Sequence, residues 1–241
     1  MMRVWYRMVS DMSRPAGTRR ATFSGRGVHG IEVGLNARLP KGRLLAGGLS
    51  TGRSVGDVCD IARTHPEVLG TINFGVTSFT SGPSASTEFC RITLPVEGQT
   101  QVKLSGSYPL PFRGLETAAT FQNLPGIPIT ASYVATNARI APSLGRNLGQ
   151  CGTAATCNGT VTVAILSAPN TLLGDRLNQV DVRLSKRIDV GRARVMGMLD
   201  VYNLFNASTI TAVNTRDGPA WLQPLAILPA RLFKVGAQLD F

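Results

Sequence analysis

No run of apolar residues in this chain approaches the ~18 that a membrane-spanning helix needs, so helical spans are excluded. Spanning strands are not, because their alternating residues average out over any window. Charge is sparse: 16% of the 241 residues are Asp, Glu, Lys or Arg against 43% hydrophobic, a balance that excludes disorder. Only two histidines occur, His29 and His65, neither in an H-E-x-x-H or other metal-ligand spacing. No G-x-S-x-G, phosphate-binding loop, dinucleotide fingerprint or C-x-x-C pair is present. The sequence therefore points to no enzyme, no metal and no cofactor. A formal charge of +11 would suit nucleic acid, yet the basic residues are scattered among Gly, Thr and Ser with no dense run interleaved with aromatics. Nucleic acid is not expected as a partner.

Also lacking is an export signal. Met1 to Arg20 carries Arg3, Arg7, Asp11, Arg14, Arg19 and Arg20 and has no apolar core of signal-peptide length. Either the protein stays inside the cell or Met1 is not the biological start. The four cysteines, Cys59, Cys90, Cys151 and Cys157, all fall in loop-like stretches. They allow three connectivities. The economical one joins Cys59 to Cys90 and Cys151 to Cys157 in an oxidising compartment, and free buried thiols are the alternative.

What is present is alternation. The final stretch sets Phe233, Val235, Ala237, Leu239 and Phe241 on one face and Lys234, Gly236, Gln238 and Asp240 on the other. An apolar row running to a terminal aromatic, opposite a row with both signs of charge, suits a strand between lipid and a wet interior. Six earlier segments read similarly: 31–39, 43–52, 99–109, 115–124, 176–187 and 192–203. Short turns at 40–42, 110–114 and 188–191 alternate with long loops at 53–98, 125–175 and 204–229. Two further short strands, 127–134 and 160–166, are expected inside the second long loop.

In an up-and-down antiparallel sheet every second connection lies at the same end, so the short turns share one rim and the long loops the other. The fold class expected is all-β: an antiparallel up-and-down transmembrane β-barrel segment of about seven strands, with short periplasmic turns and long extracellular loops. Residues 1–27 read as a poorly defined basic segment, and 1–30 offer no convincing partner for the first strand. An odd strand count is expected of the tail of a larger barrel.

Several stretches carry a family likeness. They are Asp175–Arg183, the run Asp200-Val201-Tyr202-Asn203-Leu204-Phe205-Asn206-Ala207, Gly218-Pro219-Ala220-Trp221 with Gln223-Pro224, and the terminal strand from Arg231. Gly47–Arg53 and Pro142–Leu148 add to them. Together, over about residues 28–241, they resemble the C-terminal barrel of TonB-dependent outer-membrane receptors of the carboxypeptidase-regulatory-like, Oar type. The resemblance implies a 22-stranded barrel in the outer membrane of a Gram-negative bacterium, importing a scarce ligand with energy relayed by TonB. It implies outer-membrane lipid as surroundings, the barrel-assembly machinery as a partner of Phe241 and its strand, and TonB contact only through N-terminal parts this sequence does not hold. The ligand class, whether siderophore, vitamin, saccharide or peptide, stays open.

Some residues admit two readings. Asp181 and Asp200 pair as carboxylates for acid–base work or balance Arg183 and Arg194 on a wet face, and the second fits better. Met196 and Met198 belong to the inward row. Tyr108, Phe112 and Tyr202 are girdle aromatics or interior ones. A soluble or secreted β-rich binding module with disulfide-stapled loops is the alternative to the receptor.

Overall fold

A computed structural model describes residues 2–12, 25–67, 88–112, 114–163, 165–191 and 193–241. Its strands, in chain order, begin with β1 (Met2–Met12), β2 (Gly25–Leu39), β3 (Arg43–Asp57), β4 (Arg91–Leu94), β5 (Gln101–Pro109) and β6 (Leu115–Leu124). Four short ones follow: β7 (Pro128–Ile129), β8 (Tyr133–Thr136), β9 (Thr160–Val163) and β10 (Leu172–Leu173). The remainder are β11 (Leu177–Val190), β12 (Ala193–Tyr202), β13 (Ile210–Val213), β14 (Pro224–Ile227) and β15 (Leu232–Asp240). Helices α1 (Cys59–Thr64) and α2 (Asn137–Leu144) lie in long connections.

One antiparallel sheet dominates, in the order β1-β2-β3-β5-β6-β11-β12-β15, with β4 added beside the far end of β3. The fold is all-β and antiparallel, as the alternation requires. Among the described residues β1 and β15 are not paired to each other, so the sheet is open. The seven expected strands are observed, three of them longer: β2 starts at Gly25, β3 runs to Asp57, and β11 runs to Val190 into the turn expected at 188–191. In the second loop the short strands are β7 and the start of β8 within the expected 127–134 region, β9 within 160–166, and β10, which was not expected.

The structure corrects one expectation. Residues 2–12 form an eighth strand, paired along its whole length with Gly27–Ala37. Its pattern is hidden because Trp5 and Val9 both stand on the polar row. Trp5 faces Gly34, and a Cβ there would lie 2.2 Å from the indole, so the missing side chain is what lets the ring lie down.

Register decides the faces. Residues directly opposite across a ladder share a face. Val33 faces Leu49, which faces Val102; Leu104 faces Phe121, which faces Val180; Leu184 faces Leu199, which faces Val235. This apolar face crosses all eight strands, since Val4 faces Leu35 and Met8 faces Ile31. It is uncovered: Met8 is 76% exposed, Val4 59%, Phe233 61% and Val235 81%. The other face is polar, with Glu32 opposite Ser50 opposite Gln101, and Arg183 opposite Asp200 opposite Lys234.

The hairpins step in one direction. β5 pairs Ser107 with Leu44 and runs two residues further, to Pro109. β6 starts opposite Lys186, and β11 runs four residues further, to Val190. Offsets of constant sign amount to shear, the property that tilts strands and lets a sheet curl. The short connections that follow β2, β5 and β11 share one rim, and the long ones that follow β3, β6 and β12 share the other.

Candidate functional site

The long connections fold over their rim as a cap. There the chain buries Val58, Ala62, Ile92, Leu94, Ala131, Leu148 and Ile165, whereas Ala37 is the one buried hydrophobic residue of the eight-stranded order among the described residues. Cys59 is bonded to Cys90, and Cys151 to Cys157. Buried Asn137 organises the second loop: its Nδ2 donates to Asn147 Oδ1 at 2.9 Å, and its Oδ1 accepts from Leu148 N at 2.8 Å. Helix α2 ends at Gly145, whose φ of 66° suits a residue without Cβ. The loops are tied together. Asn170 Nδ2 donates to Thr93 O, Trp221 Nε1 donates to Thr130 O, and Ser132 exchanges backbone bonds with Thr215 and Asp217.

Two polar residues bind this cap to the strands. Arg176 donates to Asn123 Oδ1, Glu97 O and Thr100 O, gathering the starts of β5 and β11 and the end of β6. Asn203 does the same for β11, β12 and β15. Its N donates to Asp181 Oδ1, its Nδ2 donates to Ala207 O and Pro229 O, and its Oδ1 accepts from Ala207 N, all at 2.8 Å. Asn206 Oδ1 accepts from Arg231 N at 2.9 Å. Both asparagines have positive φ, 50° and 54°, which asparagine tolerates better than other side chains. The D-x-Y-N-L-F-N run is thus a strand-end knot.

On the polar face two cavities of about 530 and 660 Å³ share Glu32, Ser50, Gln101 and Lys103. The first reaches Trp5 and Gln122, and the second runs beneath the cap to Leu94, Pro125 and Leu173. Register explains the grouping, since Trp5, Gly34, Gly48, Lys103 and Gln122 are successive partners across five strands. Sequence reasoning did not single out this group. The strand pattern had put Glu32, Gln101 and Lys103 on polar rows, but only the register brings them beside Trp5.

Arg183 clasps Asp200 with Nε and Nη2, a bidentate fork. Asp181 accepts from Gln179 and Asn203 instead, so the two carboxylates do not share a site. Arg194 pairs with Asp189 at 3.2 Å. Met196 faces Arg187 and Met198 faces Ser185, on the polar side. In the terminal strand Phe233, Val235, Ala237 and Leu239 face Val201, Leu199, Gly197 and Val195, while Phe241 stands fully exposed beyond the ladder. Tyr108 shares the apolar face, Tyr202 turns its hydroxyl toward Asp200, and Phe112 sits exposed in a short turn.

His29 lies on β2 opposite Arg53. His65 Nδ1 lies 3.2 Å from Glu67 Oε1. A backbone hydrogen bond, helped by His65, holds the Glu67 carboxyl below its ordinary range. No group of three or more His, Cys, Asp or Glu able to hold a metal occurs among the described residues, nor does a helix long and apolar enough to cross a membrane. No protein-family profile, curated protein or solved structure matches the chain.

Proposed function

We propose that the chain is part of the β-barrel of a TonB-dependent outer-membrane receptor, supplying strands of a wall that admits a scarce ligand and performing no catalysis. The observation that carries this reading is the uncovered apolar face. Seven interstrand spacings of ~4.8 Å make it about 34 Å wide. With strands of about nine residues at ~3.3 Å each it is about 30 Å long, so its area of roughly 1,000 Å² exceeds the few hundred Å² of apolar patch a soluble monomer usually shows. Lipid acyl chains are the partner that such a surface fits without a second protein.

Three further features support it. The opposite face is polar and bears both charges, as a water-lined lumen allows. The offsets of the hairpins have the constant sign that tilted barrel strands need. Two unpaired edges, β1 and β15, call for neighbouring strands, because an unpaired backbone group in lipid costs roughly several kcal/mol. In this reading the cap faces the cell exterior, where its disulfides persist, and β15 with Phe241 is the element the assembly machinery engages.

The test is flotation. Purified chain refolded in detergent and reconstituted with phosphatidylethanolamine–phosphatidylglycerol vesicles should float with them through a density gradient and resist carbonate extraction. A chain that stays monomeric and folded in buffer without detergent, and sediments free of vesicles, is a secreted binding module instead.

A further inference from the structure

The geometry points to the polar face beside Trp5 as a binding site for an oligosaccharide, and we propose this as the ligand class of the barrel wall. The inference rests on the reading of that face as a lumen.

Its floor is made by absence. The indole lies over Gly34, and the next residue along the same row is Gly48. A Cβ built at Gly48 would meet only backbone atoms, Val33 O and Gly34 Cα, within 4 Å. No side chain covers that spot, so a bare strip adjoins a flat aromatic surface. Trp5 is itself 49% exposed although its ring rests on the sheet. From Trp5 to Lys103 the row spans three strand spacings, about 14 Å.

Around the strip stand Glu32, Gln101, Lys103 and Gln122, all lining the first cavity. Glu32, Gln101 and Gln122 are half-buried. Among the described residues none of the four makes a side-chain hydrogen bond or ion pair, unlike Arg183, Asp200 and Asp181 a few strands away. Their polar atoms are not buried, so they stand open to water or to a ligand that replaces it. Their chemistry is mixed: one carboxylate, one ammonium and two amides. A cluster built for phosphate or carboxylate would be cationic, and a cation site would gather acids.

A sugar ring matches the arrangement. Its C–H face is apolar and packs on an indole, and its rim of vicinal hydroxyls both donates and accepts. A carboxylate takes two such hydroxyls and an amide takes one of each kind. Because the second cavity continues from Ser50 and Gln101 toward Leu94 and Pro125 beneath the cap, the groove suits a short oligomer better than a single sugar.

The experiment uses the full chain in detergent micelles with Trp221→Phe, which leaves Trp5 the sole tryptophan. Trp5 emission is followed during titration with maltohexaose, cellohexaose and chitohexaose, with hexaglycine as the non-sugar control. Saturable change with at least one hexaose, protection from acrylamide quenching, and silence with hexaglycine are expected. By calorimetry Trp5→Ala, and separately Gln101→Ala and Gln122→Ala, should weaken that binding about tenfold, while Gln150→Ala in the cap leaves it unchanged. The two glutamine variants keep the test valid should loss of the ring disturb β1. No saturation with any hexaose, a response to hexaglycine equal to that of the sugars, or affinity unchanged in all three site variants overturns the proposal. Vesicle flotation on the same preparation separates the two failures: a chain that floats but binds no sugar retains its membrane role, and one that does not float loses that role whatever it binds.

Discussion

The sheet and the cap solve opposite problems with the same chain. In the sheet, eight strands are held by backbone ladders, and the side chains on the apolar face cover nothing. In the cap, short strands and two helices hide most of the buried apolar residues among those described, staple themselves with two disulfides and satisfy asparagine amides deep inside. The cap carries its own interior, as a domain in water must. The sheet does not, and in the reading proposed above an apolar medium around it takes the place of that interior. The difference separates what the solvent must provide at each level of the molecule.

The largest expected effect breaks the cap alone. Cys59 and Cys90 are 31 residues apart, and losing their bond through Cys59→Ser with Cys90→Ser removes about 3–4 kcal/mol of loop-closure stabilisation. The shorter link between Cys151 and Cys157 is worth about 2 kcal/mol by the same reasoning. Amide hydrogen exchange should accelerate over Val58–Thr64 and Arg91–Leu94 while β11 and β12 stay protected. Equal acceleration in both regions would mean that the cap and the sheet are one cooperative unit.

A second pair of variants tests the faces of the sheet on adjacent residues. Leu199 lies on the apolar face and Met198 on the polar one. Leu199→Arg should cost about 2–4 kcal/mol in vesicles, the penalty of a cation at mid-membrane, and Met198→Arg close to nothing. Urea titration of the vesicle-bound chain reads both. Similar losses at the two positions would remove the distinction between a lipid-facing and a wet side.

How much of this was legible in the sequence follows the same division. Alternation at Val180, Val182 and Leu184, or at Val195, Leu199 and Val201, marks strands because a two-sided environment leaves a period of two in the residues. The short turns and long loops were visible as gaps in that pattern. Residues 2–12 were missed because Trp5 and Val9 both break the period of two: Trp5 fits the polar row because Gly34 has no Cβ, a fact about a residue 29 positions away, counted from 5 to 34. The polar groove escaped for a related reason, since Glu32, Gln101 and Gln122 meet through register, which no local window encodes. In the cap, Asn137 and Asn203 have no periodic signature at all, because their roles depend on which backbone groups lie unpaired nearby.

Asn203 joins the two regions, and its substitution is the third test. It is 3% exposed and makes side-chain bonds to Ala207 and Pro229. Asn203→Ala leaves those backbone groups without partners and places a Cβ-bearing residue of poor tolerance at positive φ. The cost is about 2 kcal/mol. Asn203→Asp keeps the acceptor for Ala207 N and loses the two donors, so it should fall between. Loss of protection should appear first at Arg231 and Leu232, where β15 begins. If both variants melt like the unaltered chain, the knot is dispensable, and the rim of β12 and β15 is held by the ladder alone.

The smallest effect lies at the other rim. Arg43 stands opposite Leu39 on the apolar face, one row from the short turn, with its guanidinium 4.7 Å from the Tyr108 ring centre and Nη2 donating to the hydroxyl at 3.2 Å. A cation on that face is tolerable at the boundary of an apolar slab, where an aromatic ring shields it and its tip reaches water. Tyr108→Leu removes both contacts and should cost about 0.5–1 kcal/mol. Tyr108→Phe keeps the ring and should cost less than half of that. The ratio is informative because the two contacts respond differently to the medium. If Tyr108→Phe is nearly silent in vesicles, the ring face carries the interaction and Arg43 is sheltered from water. A loss equal to that of Tyr108→Leu assigns the stabilisation to the hydroxyl, moves this row into the aqueous layer, and shortens the apolar belt of β3 and β5 by one register step.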